Sequence, residues 1–189
     1  SLSLSKTTWS MKTVSFKDKT FTLFIEAAKI QEKVHGIAQQ LNDDYRDKNP
    51  IVVPILNGAF LFAADLVRHL EVKPEIHFVR ISSYGDALTS SGKVKITQGL
   101  DIDIEGRDII LVEDIVDTGL TCGYYMEHLR QFNPASVTLV TLLFKPDSFK
   151  ADYTPDYIGF EIPPEFVIGY GMDIAQQARE LPDIYHLKS

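Results

Sequence analysis

The sequence predicts an α/β protein with a mostly parallel central sheet flanked by helices. Two observations carry that expectation. DIILVED (108–114) is continuously apolar from Ile109 to its acids and SVTLVTLLF (136–144) is mostly apolar, as strands covered on both faces are. Segments with apolar residues at helical spacing precede and separate them, and alternating strands and helices imply parallel pairing.

Each element follows in order. The Ser/Thr-rich first ten residues are expected to fray. Ile30, Val34, Ile37 and Leu41 share one helical face, so about 24–42 reads as an amphipathic helix. IVVPIL (51–56) is a β-branched strand ending at Asn57-Gly58, and AFLFAADLVRHL then takes helical period. EIHFVRIS (75–82) is the next strand, SYGDALTSSG (83–92) a polar stretch with no core-forming period, and KVKITQ (93–98) a half-exposed strand. A helix over 120–132 follows the 108–114 strand, and short strands near 157–162 and 166–170 close the chain. Residues 1–189 read as one domain, with the N-terminal segment and about 150–189 forming a small hood over the sheet.

Composition narrows the function. A net charge of −7 argues against nucleic acid as a partner, since phosphate-backbone binding rests on clustered Lys and Arg. The single cysteine, Cys122, allows no intrachain disulfide and fits a reducing compartment. Ile51–Leu56 is far too short to span a bilayer, and SLSLSKTTWS lacks the apolar core of a secretory signal, so a soluble cytoplasmic protein is expected. His35, His69, His77, His128 and His186 have no paired ligand spacing and are assigned no metal.

Residues 109–121, IILVEDIVDTGLT, hold the chemistry: a core strand, three carboxylates within five positions, then small donor groups. Ligands of open α/β sheets bind at the carboxyl ends of strands, where Glu113, Asp114 and Asp117 fall. Thr118-Gly119-Leu120-Thr121 would turn into the next helix, whose free N–H groups and positive dipole end attract an anion. A strand-end acid with a capping Thr is the plain alternative. A P-loop nucleotidase would need G-x-x-x-x-G-K-[ST], which is absent. An aspartyl phosphatase centred on Asp101 and Asp103 would need a buried apolar strand before them, which is also absent. A phosphorylated-sugar site survives: acids accept from vicinal hydroxyls while the threonine turn cradles a monophosphate.

ILVEDIVDTGLT closely resembles the phosphoribosyl-pyrophosphate (PRPP) signature of type I phosphoribosyltransferases, and the flanking residues resemble the hypoxanthine-guanine branch. The resemblance runs from about residue 20 to the end. It implies that Glu113 and Asp114 bind the PRPP ribose and that Asp117, Thr118, Gly119, Leu120 and Thr121 hold its 5′-phosphate. ILNGAF (55–60) is similar to the pyrophosphate loop, which implies a cis Leu56–Asn57 peptide, with Asn57, Gly58 and Arg179 at the pyrophosphate; some relatives carry Lys at the place of Asn57. Ser83-Tyr84 matches the mobile loop that closes over the site. Lys145 matches the lysine that reads the purine, with Ile115, Phe166, Val167 and Asp173 around the base. Two residues depart from the pattern near the end: Ile174 stands where an aromatic is common, and Ala178 precedes Arg179.

The implied reaction displaces pyrophosphate from PRPP by a purine nitrogen, with Mg²⁺ held by Glu113, Asp114 and Asp173 as the cofactor. Asp117 is the candidate general base; capping the turn is its plainer role. Taken alone, Lys145 would be a solvated strand-end lysine, Phe166 a core residue and Arg179 a surface arginine, while Ile115 could simply return to the core. Cys122 follows the phosphate turn, where a helix N-terminus lowers a thiol pKa, although a small packing residue is the favoured reading. The resemblance also implies a homodimer or homotetramer acting on PRPP and a 6-oxopurine, with neither nucleic acid nor membrane as partner. A PRPP- or nucleotide-sensing regulator on the same fold and a xanthine-preferring relative are the alternatives.

Overall fold

The computed structural model describes residues 12–84 and 93–187. The first ten residues and most of the 83–92 stretch therefore lie outside the described residues. Strands β1 (Thr13–Phe16) and β2 (Lys19–Ile25) form a hairpin, followed by helix α1 (Ala27–Asp44). Then come β3 (Ile51–Leu56), α2 (Phe60–Val67), β4 (Glu75–Ile76), β5 (Val79–Tyr84) and β6 (Lys93–Gln98). Strand β7 (Asp108–Val116), α3 (Leu120–Arg130) and β8 (Ser136–Phe144) form the centre, and β9 (Tyr157–Glu161), β10 (Phe166–Ile168) and β11 (Ile184–Leu187) end the chain.

The main sheet has seven strands in the order β6-β5-β3-β7-β8-β9, with β4 also pairing β3. All its pairings are parallel except β5–β6. Alternation along β7 explains the two layers of core. Ile110 and Val112 join Ile30, Val34 and Leu41 of α1 and Phe62 and Leu66 of α2. Ile109 and Leu111 join Tyr125, Met126 and Leu129 of α3 on the other face. The strands are apolar because both faces are covered, as the sequence predicted.

The chain ends supply the hood, an antiparallel sheet ordered β1-β2-β11-β10. Phe21, Ile168, Ala178 and Tyr185 form its own small core. The hood also tethers the main body, since the Ala27 N–H at the start of α1 donates to Asp183 Oδ1 at 2.7 Å. That bond takes the place of a cap from Glu26, whose side chain makes none.

Several boundaries differ from expectation. Residues 19–25 are strand, so the first helix starts at Ala27 rather than near 24. The expected 75–82 strand is broken after Ile76, where β3 changes partner from β4 to β5. Strand β10 stops at Ile168 because Gly169 and Tyr170 take positive φ values of 96° and 47°.

Candidate active site

The acidic knot lies at the carboxyl end of β7, next to the carboxyl ends of β3 and β8. Its carboxylates fold back on their own backbone. The Asp114 N–H donates to Glu113 Oε1 at 3.0 Å, and the Ile115 N–H to Asp114 Oδ1 at 2.8 Å. Side chains therefore take main-chain donors at the point where the buried strand opens into a site. Alternation also reverses there: Ile115 packs with the α1–α2 core and Val116 with the α3 core. Burial, reinforced by the Asp114 carboxylate, pushes the Glu113 carboxyl pKa well above its usual range. The Cys122 thiol donates to Glu113 Oε2 at 3.6 Å.

Cys122 itself is buried, and burial next to Glu113 drives its thiol pKa up. Its position in the first turn of α3 does not make it reactive. It acts as the small packing residue the sequence favoured, with one added bond to the acid.

The threonine turn has the expected form. Gly119 has a φ of 79° and immediately precedes α3. A Cβ there would lie 2.1 Å from Phe149 Cε2, so both conformation and space require glycine. Tyr153 Oη donates to the Gly119 carbonyl at 2.6 Å, and the Lys150 N–H to that of Thr118 at 2.9 Å. The turn is thus braced from behind. The first N–H groups of α3 have no intrahelical acceptor and can meet an anion. Ser83, Ile115, Asp117, Thr118, Gly119 and Thr121 line a cleft of about 410 Å³.

Lys145 follows β8, and its buried side chain places Nζ 3.2 Å from Asp117 Oδ2. Two residues 28 apart in sequence are thereby joined at the cleft. A second group forms where the hood meets the end of β3. The Leu56–Asn57 peptide is cis. A Cβ on Gly58 would fall 2.0 Å from Asp114 Oδ2, and one on Gly171 would fall 2.3 Å from the Gly58 carbonyl oxygen. Arg179 Nη1 donates to the Gly171 carbonyl at 2.8 Å, and Arg179 Nη2 stands 3.5 Å from Asp173 Oδ1. Glycines thus let Asp114, the Asn57–Gly58 turn and the Arg179 loop stack without intervening side chains.

Some expected site residues stand apart. Phe166 and Val167 sit on β10 and do not line the cleft; Phe166 is 48% exposed, its ring 6.0 Å from that of Phe21. Asp173 accepts the Gln176 N–H at 2.9 Å, within its own loop. Ser83 and Tyr84 close β5, and the rest of the expected mobile loop lies outside the described residues. Sequence reading missed the bracing residues Phe149 and Tyr153, which have no motif. It also missed Arg80, whose Nη2 donates to Asn57 Oδ1 at 2.7 Å; its one sequence signal was a charge within an apolar strand.

A parallel sheet with an acidic, threonine-turned strand end and a hood defines a phosphoribosyl-transferring class. The comparisons agree. Residues 25–175 match the family model described as a phosphoribosyl transferase domain, and the chain belongs to that family. Its relatives include the hypoxanthine-guanine phosphoribosyltransferase of Bacillus subtilis (strain 168), 45% identical over 88% of this chain and 92% of that protein. The enzyme of the same description from Mycobacterium tuberculosis (strain H37Rv) is 39% identical over 85% of this chain and 82% of its own. Among solved structures, a hypoxanthine-guanine phosphoribosyltransferase of Bacillus anthracis superposes with a TM-score of 0.85 at 40% identity, covering 92% of this chain and 100% of that one.

Proposed function

We propose that this chain transfers the 5-phosphoribosyl group of PRPP to hypoxanthine or guanine, giving IMP or GMP and pyrophosphate in purine salvage. The carrying observation is the Asp117–Lys145 pair at the threonine turn, which sets a proton acceptor and a purine-reading donor side by side. The α3 N-terminus and Thr118–Thr121 hold the 5′-phosphate. Glu113 and Asp114 accept from the ribose hydroxyls. Asn57, Gly58 and Arg179 receive the pyrophosphate. Asp117 takes the proton that the purine nitrogen releases as it attacks. Ile115 lines the cleft beside the base, while the family resemblance assigns Phe166 to stack on it and the Val167 backbone to its edge, from β10 outside that cleft.

Among the described residues no group of three or more His, Cys, Asp or Glu side chains could hold a metal alone. Mg²⁺ is commonly held by only one or two carboxylates, with substrate phosphates completing its shell, so its candidate ligands need not all bind it at once. Glu113, Asp114 and Asp173 are the carboxylates for it. The ion would supply charge neutralisation for the departing pyrophosphate.

The described residues contain no helix long and apolar enough to cross a membrane. A cytoplasmic location fits a single cysteine that is a free, buried thiol. Residues 1–189 act as one catalytic domain. The exposed apolar side chains Phe60, Ile76 and Phe78 border one groove and support a homodimer or homotetramer, which light scattering would read directly.

The test of function mixes protein, PRPP and Mg²⁺ with hypoxanthine, guanine, xanthine or adenine in turn. IMP and GMP are the expected products. PRPP binding with no product from any base would mark a sensor and refute the reading.

A further inference from the structure

Arg80 is the one arginine of six that makes no ion pair among the described residues; Arg46, Arg68, Arg107, Arg130 and Arg179 each lie within 4 Å of a carboxylate. It is exposed and stands on β5 in register with Leu56, at the strand end that leads into the Asn57–Gly58 turn. Its carbonyl is fixed by Thr97 Oγ1 at 3.1 Å, and its guanidinium donates to Asn57 Oδ1 at 2.7 Å. A guanidinium has donors only, so the amide of Asn57 must present its oxygen to Arg80 and turn Nδ2 away.

The surrounding charge gives this arrangement a purpose. The chain carries −7, and two acids lie beside the residues assigned to pyrophosphate, Asp114 against Gly58 and Asp173 against Arg179. The two cations otherwise nearest the chemistry are engaged, Lys145 with Asp117 and Arg179 with Asp173. A leaving group with several negative charges needs a cation that is not already neutralised, and Arg is suited to phosphate oxygens.

Building on the phosphoribosyltransferase reading, which already gives Asn57 to pyrophosphate, we propose that Arg80 is a further residue that binds the pyrophosphate group of PRPP and sets the Asn57 amide for it. The guanidinium supplies a charge that no carboxylate among the described residues pairs. Through its bond to Oδ1 it also orients Asn57 Nδ2 as a donor to a phosphate oxygen.

The experiment compares wild-type protein with Arg80→Ala, Arg80→Gln and Arg80→Lys. It reads KM for PRPP and hypoxanthine in the forward direction, and KM for pyrophosphate and IMP in reverse. A charge-assisted contact to phosphate predicts that Arg80→Ala raises KM for PRPP and pyrophosphate by about 10- to 100-fold. KM for hypoxanthine and IMP should stay within about twofold, and Arg80→Lys should recover much of the loss. Arg80→Gln keeps a donor for Asn57 without charge and should resemble Arg80→Ala. Wild-type KM values for PRPP and pyrophosphate in Arg80→Ala, or in Arg80→Gln, would overturn the proposal. Because Arg80 is exposed, an unchanged melting temperature separates a binding defect from misfolding. Absence of IMP from the wild-type protein would instead refute the functional reading on which this rests.

Discussion

Asp117→Asn tests the general-base role directly, and the geometry separates its two effects. Lys145 Nζ and Asp117 Oδ2 are 3.2 Å apart, with side-chain exposures of 10% and 53%. Coulomb attraction at that distance is about 1 kcal/mol in water-like surroundings and about 5 kcal/mol at an effective dielectric of about 20. The exposure of Asp117 places the pair near the lower figure, and solvent screening holds its net worth to about 1 kcal/mol. An asparagine oxygen can still accept from Lys145, so the static loss is smaller again. Ground-state binding should therefore change by less than about tenfold.

Loss of the proton acceptor is a larger effect. General-base catalysis contributes roughly 10²–10⁴-fold, so kcat for IMP formation should fall by that factor. KM for PRPP should move little beside it. The assay is steady-state IMP formation at saturating PRPP and hypoxanthine, with PRPP affinity measured separately by calorimetry. Near-normal kcat would refute the base role. A large loss of PRPP affinity with kcat intact would make Asp117 a binding and capping residue instead.

Three further outcomes follow from other parts of the site. Burial raises the folded-state pKa of Glu113, so as pH climbs from the unfolded towards the folded value the folded chain retains a proton that the unfolded chain has lost, and stability falls. Glu113→Gln should thus melt above wild type at neutral pH and lose that advantage below about pH 4, under the unfolded glutamate range; an equal advantage at both pH values would contradict the sign. Gly119→Ala forces a left-handed alanine against Phe149, so thermal melting should fall by several degrees, at about 2–4 °C per kcal/mol for a chain of this size. Lys145 presents donors alone, which suits the 6-oxygen of hypoxanthine and opposes the 6-amino group of adenine. A mismatch of that kind can cost on the order of 10⁴ in kcat/KM, and Lys145→Gln should narrow the gap. Comparable turnover of adenine by the unmodified chain would sink that assignment.

What the sequence made legible was whatever had a local signature. Continuous apolar runs marked β3, β7 and β8, and the acid-threonine turn marked the strand end. Strands β1, β2 and β11 escaped because they are short or mixed in polarity and split their buried residues between two cores, Phe21 and Tyr185 in the hood and Ile25 and Ile184 in the main body. Lys19–Ile25 shows how weak that signal is, with its buried positions at Phe21 and Ile25 only. The bracing of Gly119 by Phe149 and Tyr153, and the Arg80–Asn57 bond, join residues 23 to 34 apart, a separation at which no periodicity operates.

That gap bears on how so many acids coexist in one small site. Each already has a distinct means of reducing its charge. Glu113 is half-buried, holds its proton more tightly than usual and receives the Cys122 thiol. Asp114 caps the Ile115 N–H beneath Gly58. Asp117 takes Lys145, and Asp173 takes Arg179. Substrate must then enter by exchange: a purine oxygen competes for Lys145, pyrophosphate for Arg179, and ribose hydroxyls for the two strand-end carboxylates. Every exchange swaps one hydrogen bond for another, so the gain per contact is modest. Net binding then falls to the first-turn amides of α3 and to Arg80, which makes no ion pair among the described residues.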